Sequence, residues 1–380
     1  MRIGVIREEG LNEYRVALIP EVVKTLIGKG IEVIVESQAG VHAFHNDEDY
    51  TAVGAVIAPS RQSLFQEVDL IATVQGIASA DLSHLRPGQI VVGFLNPLGD
   101  PRCIQQLAER GVTALAVELV PRTSRAQSMD ALSSQASIAG YKAVLLAAAA
   151  LPKYVPMLTT AAGTIRPAKV VVLGAGVAGL QAIATARRLG ATVEAYDIRP
   201  AVREEVQSLG AHFIDVTLNE ETTAVGGYAK EISEAAKEHA RAILTQHIAA
   251  ADVVITTAQV PGRKAPVLVT EAMVSQMRPG SVVVDLASEQ GGNCEGSEAG
   301  KDVRLHGVLI MGPLNLPSTV AVHASQSYAK NLLNLIKLLI PKSEVVLDFG
   351  DDIFDQCCLT HGGEIRNQRV RDLVAQLTNV

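Results

Sequence analysis

The chain has no tryptophan, and aromatic residues of all kinds make up 3% of its 380 positions. Single-stranded nucleic acid is gripped largely by stacking bases on aromatic rings, so few such platforms are available. A basic excess is missing too: 33 Lys and Arg stand against 40 Asp and Glu, a formal net charge of −7. A negative protein repels a phosphate backbone, and no nucleic-acid partner is expected. Four cysteines are present, Cys103, Cys294 and the adjacent Cys357 and Cys358. They show neither metal-ligand spacing nor a disulfide framework, which predicts reduced, structural thiols. Long apolar runs are absent. Ala143 to Leu151 is too short to cross a bilayer, and Leu332 to Ile340 is short and carries Lys337, so any membrane link has to run through a partner. The opening MRIGVIREEG lacks the basic and apolar regions of a signal peptide, which predicts a cytoplasmic chain. No internal repeat or low-complexity segment stands out.

What is present is a globular composition, 48% hydrophobic with 19% charged residues. The length exceeds one ordinary core and predicts two domains. The most informative stretch runs from Val170 to Asp197. Val170 to Leu173 is an apolar run suited to a strand covered on both faces. Gly174, Gly176 and Gly179 follow in GxGxxG spacing, then Leu180, Ile183, Ala184 and Leu189 recur at helical spacing. The first glycine permits a tight turn, the second lets a diphosphate approach the backbone, and the third lets helix and strand pack closely. The helix that opens there offers its N-terminal N–H groups to an anion. Asp197 ends the next strand, 23 positions past Gly174, where a ribose-binding carboxylate is expected. A lone GxGxxG also occurs as a plain strand-to-helix connection. The full succession of strand, glycines, helix, strand and Asp favours dinucleotide binding. We therefore expect Gly174, Ala175, Gly176, Val177 and Gly179 at the diphosphate, and Asp197, Ile198 and Arg199 at the ribose end. A carboxylate accepts ribose hydroxyls and repels a 2′-phosphate, so NAD(H) is preferred to NADP(H); Arg199 and Arg203 weaken that preference.

Around this stretch the chain alternates strands and helices. Ile3–Ile6, Val33–Val35, Leu70–Val74, Ile90–Phe94 and Ala114–Val117 read as strands, with helices at Pro20–Gly28 and Pro101–Gly111. The fold class expected is α/β, with two domains that each carry a mostly parallel sheet flanked by helices. The second, a Rossmann dinucleotide-binding domain over 136–319, is inserted into the first, 1–135 with 320–380. Its later strands, Asp252–Thr256 and Ser281–Asp285, end in the loops Thr257 to Gln259 and Ala287 to Asn293, which should face the cofactor. A long apolar helix from Thr319 returns the chain, and the tail adds a strand and helices. The nicotinamide is expected in the cleft between the domains.

Two polar segments stand apart. Pro121 to Ser134 holds Arg122, Ser124, Arg125, Gln127, Ser128, Asp130 and Ser133 ahead of an Ala-rich helix. It suits a solvated loop with a capped helix start and a functional loop equally well. Asn219 to Lys230 contains Gly226, Gly227 and Tyr228, which suit an idle loop or a lid. His42 and His45, followed by Asp47, Glu48 and Asp49, read as acidic loop surface and not as a metal site. His323 reads as a packed or capped histidine, and Arg15 as an ion-pair partner or an anion binder.

Over essentially its whole length the chain resembles the family joining alanine dehydrogenase to the NAD(H)-binding component of proton-translocating NAD(P) transhydrogenase. The resemblance is carried by Glu13-Tyr14-Arg15-Val16-Ala17, the Pro20 helix, Gly174 to Gly179, Asp197, Pro261-Gly262 with Lys264-Ala265-Pro266, and Asp285 through Gly292. It implies that alanine dehydrogenases use a Lys and a His where this chain has Gln75 and Asn96, while Arg15 is kept and Glu289 replaces an Asp. Oxidative deamination needs a base and a cation, which two amides do not supply. Hydride transfer between two nicotinamides needs neither, only positioning. The resemblance further implies that Arg122, Gln127, Asp130 and Ser133 hold the nicotinamide, that Gly227 and Tyr228 close over the nucleotide, and that Gln259 lines the cofactor site. By the same route it implies a homodimer, an NADP(H)-binding beta subunit and a separate membrane-spanning alpha subunit. These would place the chain peripherally on the cytoplasmic face of the inner membrane. The alternatives are an amino-acid dehydrogenase and an NAD-binding regulatory module.

Overall fold

The computed structural model describes residues 1–216, 233–260, 262–342 and 344–378. Pro261 and the segment 219–230, with Gly227 and Tyr228, lie outside the described residues. Two compact units are formed, Met1–Gln135 with Ser318–Val380, and Ala136–Pro317.

The first unit opens with β1 (Arg2–Val5), β2 (Glu32–Glu36), β3 (Val56–Ala58), β4 (Leu70–Ala72), β5 (Ile90–Gly93) and β6 (Thr113–Ala116). All pair in parallel. Ile3, Val33 and Val92 point into one core, Ile34, Ile71 and Val91 into another, so both faces are covered, as parallel sheets require. The crossover helices start where the sequence places caps. Pro20 occupies the first turn of Pro20–Ile27, and Asp100 accepts from Cys103 N at 3.2 Å at the head of Pro101–Glu109, each filling a position where an orphan N–H is harmless or paired.

The second unit begins with a hairpin, β7 (Leu158–Thr160) and β8 (Gly163–Ile165), all of whose strand residues are exposed. Its sheet follows: β9 (Lys169–Leu173), β10 (Thr192–Tyr196), β11 (His212–Phe213), β12 (Val253–Thr256), β13 (Val282–Asp285), β14 (Asp302–Leu305) and β15 (Val308–Met311). The spatial order is β11-β10-β9-β12-β13-β15-β14, with β14 alone antiparallel. Strand order reverses between β9 and β12, the switch point at which doubly wound sheets bind ligands. Val170 and Val172 face one core, Val171 and Leu173 the other.

The chain returns to the first unit through helix Ala321–Leu339, which buries Tyr328, Leu332 and Ile336 in that unit's core. β16 (Cys358–His361) then adds antiparallel to β6, and β17 (Glu364–Ile365) to β16. The tail thus supplies two short strands where one was expected. The sheet also gains β3, too short for its apolar residues to show a period. Asp47, Glu48 and Asp49 do not form a loop: they are the first turn of helix Asp47–Ala52, where acidic groups complement the dipole. His323 is exposed and not packed, because the buried stripe of its helix runs through Ala324, Tyr328 and Leu332. All four cysteines are free and buried. Among the described residues no helix is long and apolar enough to cross a membrane.

Candidate nicotinamide-nucleotide site

The turn after β9 is shaped by three glycines with three different constraints. Gly174 has φ +100, a conformation that side chains resist, and an added Cβ would lie 2.5 Å from Thr257 Oγ1. A Cβ on Gly179 would lie 1.8 Å from the carbonyl oxygen of Gly174, so helix Val177–Arg188 seats on the turn only because that atom is missing. A Cβ on Gly176 meets nothing within 4 Å. Steric demand from the fold therefore explains two glycines and leaves the third, at the helix N-cap, facing open space. No side chain caps that end, which suits first-turn N–H groups receiving a ligand's diphosphate. Ala175 is buried and Val177 is 40% exposed beside it.

Asp197, at the end of β10, is buried and returns to the same turn: its Oδ2 accepts from Ala175 N at 2.8 Å. Oδ1 accepts from the backbone N of Arg199 at 2.8 Å. The Arg199 guanidinium takes the remaining positions, Nε to Oδ1 at 2.9 Å and Nη2 to Oδ2 at 2.8 Å. These bonds to Asp197 raise the Arg199 pKa, with burial opposing. Ile198, between them, is half-buried. Arg203, the other cation foreseen here, pairs with Asp215 and lies over the Phe213 ring, 5.1 Å from its centroid.

The loops that follow β12 and β13 are fastened to each other at the same sheet end. Thr257 Oγ1 donates to Gly174 O at 3.1 Å, and Gln259 Nε2 to Leu286 O at 2.8 Å. Asn293 receives Ala258 N at 3.0 Å and donates to the carbonyls of Ala258 and Pro266 at 2.9 and 2.7 Å. Fully buried Asp285 accepts from Thr256 Oγ1, Ala287 N, Asn293 N and Cys294 N. All of a carboxylate's usual acceptor positions are thereby filled. Sequence reading placed these loops near the cofactor but missed the clamp, whose partners are up to 35 positions apart.

In the first unit, the polar loop is pinned from both sides. Asp130 accepts from Ser133 N at 2.9 Å and Ser133 Oγ at 2.6 Å, capping helix Ala131–Ala150. The Ser128 carbonyl accepts from Asn331 and Asn334 of the returning helix. Arg125 pairs with Asp351 and Asp352, and its bond draws the Asp351 carboxyl down to about 2. Arg122 and Gln127 are exposed. Asp130 and Ser133 are thus brought together, with Gln127 displayed on the short 3-10 turn Gln127–Met129 just before them.

The carboxyl ends of β1, β4 and β5 carry a second polar cluster. Arg15 binds Glu13 with both carboxylate oxygens, 2.8 and 2.6 Å, and donates to Gln135 Oε1 at 2.9 Å. Gln75 Nε2 donates to Glu13 at 2.9 Å. Glu8 accepts from Thr73, Val74 and Gln75, and burial pushes its carboxyl up to about 7. Glu118 accepts from Leu95 N and Asn96 N through Oε1, while its buried Oε2 has no hydrogen-bond partner. It too is pushed up to about 7 by burial. Tyr328 donates to Thr73 O at 2.8 Å. Glu8, Glu118, Gln135 and Tyr328 were not foreseen; a lone tyrosine on an apolar helix face was the single available signal.

A doubly wound unit with a glycine turn and a carboxylate at the adjacent strand end, inserted in a second parallel α/β unit, defines a class: two-domain, Rossmann-type nicotinamide-nucleotide oxidoreductases. Comparison with known proteins narrows it. The N-terminal domain profile of alanine dehydrogenase/PNT matches residues 4–139, and the C-terminal domain profile matches 143–368. The chain belongs to the alanine dehydrogenase/PNT family, whose cofactor is NAD(H). It is 47% identical over 375 residues to the first of the split alpha subunits of NAD(P) transhydrogenase from Rhodospirillum rubrum, covering 96% of this chain and 97% of that one. A solved transhydrogenase from Sinorhizobium meliloti superposes with a TM-score of 0.87 at 44% identity, over 96% of this chain and all of that one. Alanine dehydrogenase of Mycobacterium tuberculosis is more distant, 32% identical over 84% of this chain and 82% of its own.

Proposed function

We propose that the chain is the NAD(H)-binding component of a proton-translocating transhydrogenase, exchanging hydride between NADH and NADP+ held on a partner subunit. The observation that carries this reading is the cluster around Glu13. Where a deaminating relative would need a basic group, Gln75 spends its amide on Glu13, and Asn96 can neither take a proton nor hold full charge. Hydride transfer between two nicotinamides requires only that the rings be placed.

In this reading Gly174, Ala175, Gly176, Val177, Gly179 and Gln259 hold the diphosphate side of NAD(H). Asp197, Ile198 and Arg199 serve the adenosine ribose. Arg122, Gln127, Asp130 and Ser133 position the nicotinamide, and Gly227 and Tyr228 close over the nucleotide. When bound, NADH supplies the hydride; the chain's own groups bind and orient it. An NADP(H)-binding beta subunit and a separate membrane-spanning alpha subunit complete the complex on the cytoplasmic face of the membrane. Homodimer formation is supported by the hairpin β7–β8, which exposes Met157, Leu158 and Ile165; sedimentation of the purified chain as a monomer at micromolar concentration would count against it.

The test is enzymatic. The purified chain should bind NADH, give no alanine-dependent NAD+ reduction, and exchange hydride once an NADP(H)-binding partner is added. Robust turnover with alanine sinks the proposal in favour of an amino-acid dehydrogenase.

A further inference from the structure

Asp197 is held in place by two backbone donors and covered by one side chain. Ala175 N and Arg199 N fix the carboxylate, each at 2.8 Å, and neither bond depends on any side chain but its own. The two other donors, Nε and Nη2 of Arg199, belong to one guanidinium whose side chain is 18% exposed. A carboxylate has about four acceptor positions, and here all are used. A ribose hydroxyl can be received by Asp197 only as the guanidinium gives up its place. The same guanidinium, two residues past the strand end, has the planar fork that binds a phosphate in two-point fashion. Arg203 is not available for that role in this arrangement, being paired with Asp215.

We propose that Arg199 is a specificity-determining latch: Asp197 neutralises and holds a cation that would otherwise bind a 2′-phosphate, and the adenosine ribose of NAD(H) displaces that cation to bind Asp197. The proposal rests on the NAD(H)-site reading above and deepens it. Discrimination against NADP(H) then has two sources. One is repulsion between Asp197 and a 2′-phosphate; the other is sequestration of Arg199, which leaves the phosphate no counter-charge. Repulsion alone makes no use of Arg199, and this is what separates the two accounts.

The experiment is calorimetric titration of ADP, 2′,5′-ADP and NADH into the wild-type chain and into Asp197→Asn, Arg199→Met and the double variant. Each variant's thermal melt is recorded to establish that it is folded. In Asp197→Asn, 2′,5′-ADP should tighten by about tenfold as the arginine is released, and in the double variant that gain should vanish. Arg199→Met alone should bind ADP as well as wild type or a few-fold better, because the ribose no longer has to displace anything. This arm also stands if Asp197→Asn proves unstable. Equal 2′,5′-ADP affinity in Asp197→Asn and the double variant, or a tenfold loss of ADP binding in Arg199→Met, overturns the latch while leaving the nucleotide site intact. Failure of the wild-type chain to bind NADH overturns the site reading itself, and the latch with it.

Discussion

Glu13 and Arg15 are joined by two charge-assisted hydrogen bonds, 2.8 and 2.6 Å long, with 4% or less of either side chain exposed. An ion pair withdrawn from water this far is costly to break from one side, because the remaining charge keeps its desolvation penalty and loses its compensation. Glu13→Ala should therefore destabilise the first unit by about 3–5 kcal/mol, read as a lower urea midpoint. The double variant Glu13→Ala/Arg15→Met should recover some of the loss. No recovery would mean that Arg15 is held chiefly by Gln135 and its other contacts.

The glycine turn predicts opposite outcomes for neighbouring substitutions. Gly179→Ala sets a methyl 1.8 Å from Gly174 O, and the helix must move off the turn. Both stability and NADH binding should fall, stability by several kcal/mol, on the order of other severe core clashes. Gly176→Ala meets no protein atom within 4 Å and needs no unusual φ. Its cost to stability should stay within about 1 kcal/mol, yet NADH affinity should drop tenfold or more. Parallel melts and titrations decide it. Undiminished binding by Gly176→Ala would show that no ligand approaches this backbone.

Much of this was legible because it is local. β9, the glycine turn, its helix and β10 lie within 28 consecutive residues, and their apolar period and glycine spacing are set by contacts inside that span. Asp197 could be named from its distance to Gly174 alone. The Asp285–Asn293 clamp and the Glu8 and Glu118 carboxyls could not. Glu118 finds its donors 22 and 23 positions upstream, and Glu8 finds its own more than 60 positions away. A sequence gives no local sign that a glutamate will be carried into a sheet edge by pairings of that range. Likewise β3 and β14 are short and partly exposed, so their residues carry no alternation to read.

The polar loop asks for a division of labour between residues that sequence alone treats alike. Asp130 caps the helix Ala131–Ala150 through Ser133, so Asp130→Ala combines any effect on the nicotinamide with a cap loss of about 1 kcal/mol. Gln127 is exposed and caps nothing, which makes it the cleaner probe. Gln127→Ala should leave the melting temperature unchanged, weaken NADH binding less than threefold, and slow hydride exchange with the partner by tenfold or more. Equal losses in binding and exchange would contradict a role confined to placing the ring.

Glu118 gives a pH dependence with a definite sign. Its folded pKa, raised by burial to about 7 from 4.5, lies above the value it has when unfolded. Between those two values the folded state binds the extra proton, so stability falls as pH rises. Below about 4.5 both states are protonated and the group contributes no slope. At 1.36 kcal/mol for each pH unit between the two values, the loss between pH 4.5 and 8 has an upper bound of roughly 3 kcal/mol. Hydrogen bonds from Leu95 N and Asn96 N to Oε1 favour the ionised form and reduce it. Other carboxyls titrate in the same range, Asp351 with the opposite sign, and so the comparison must be between wild type and Glu118→Gln. The variant keeps an oxygen for the two amide donors and cannot ionise. Its stability advantage should be near zero at pH 5 and grow to about 1–3 kcal/mol at pH 8, measured as the difference in urea unfolding free energy. A constant difference across that range would mean that Glu118 ionises in the folded chain as readily as in the unfolded one, its buried Oε2 notwithstanding.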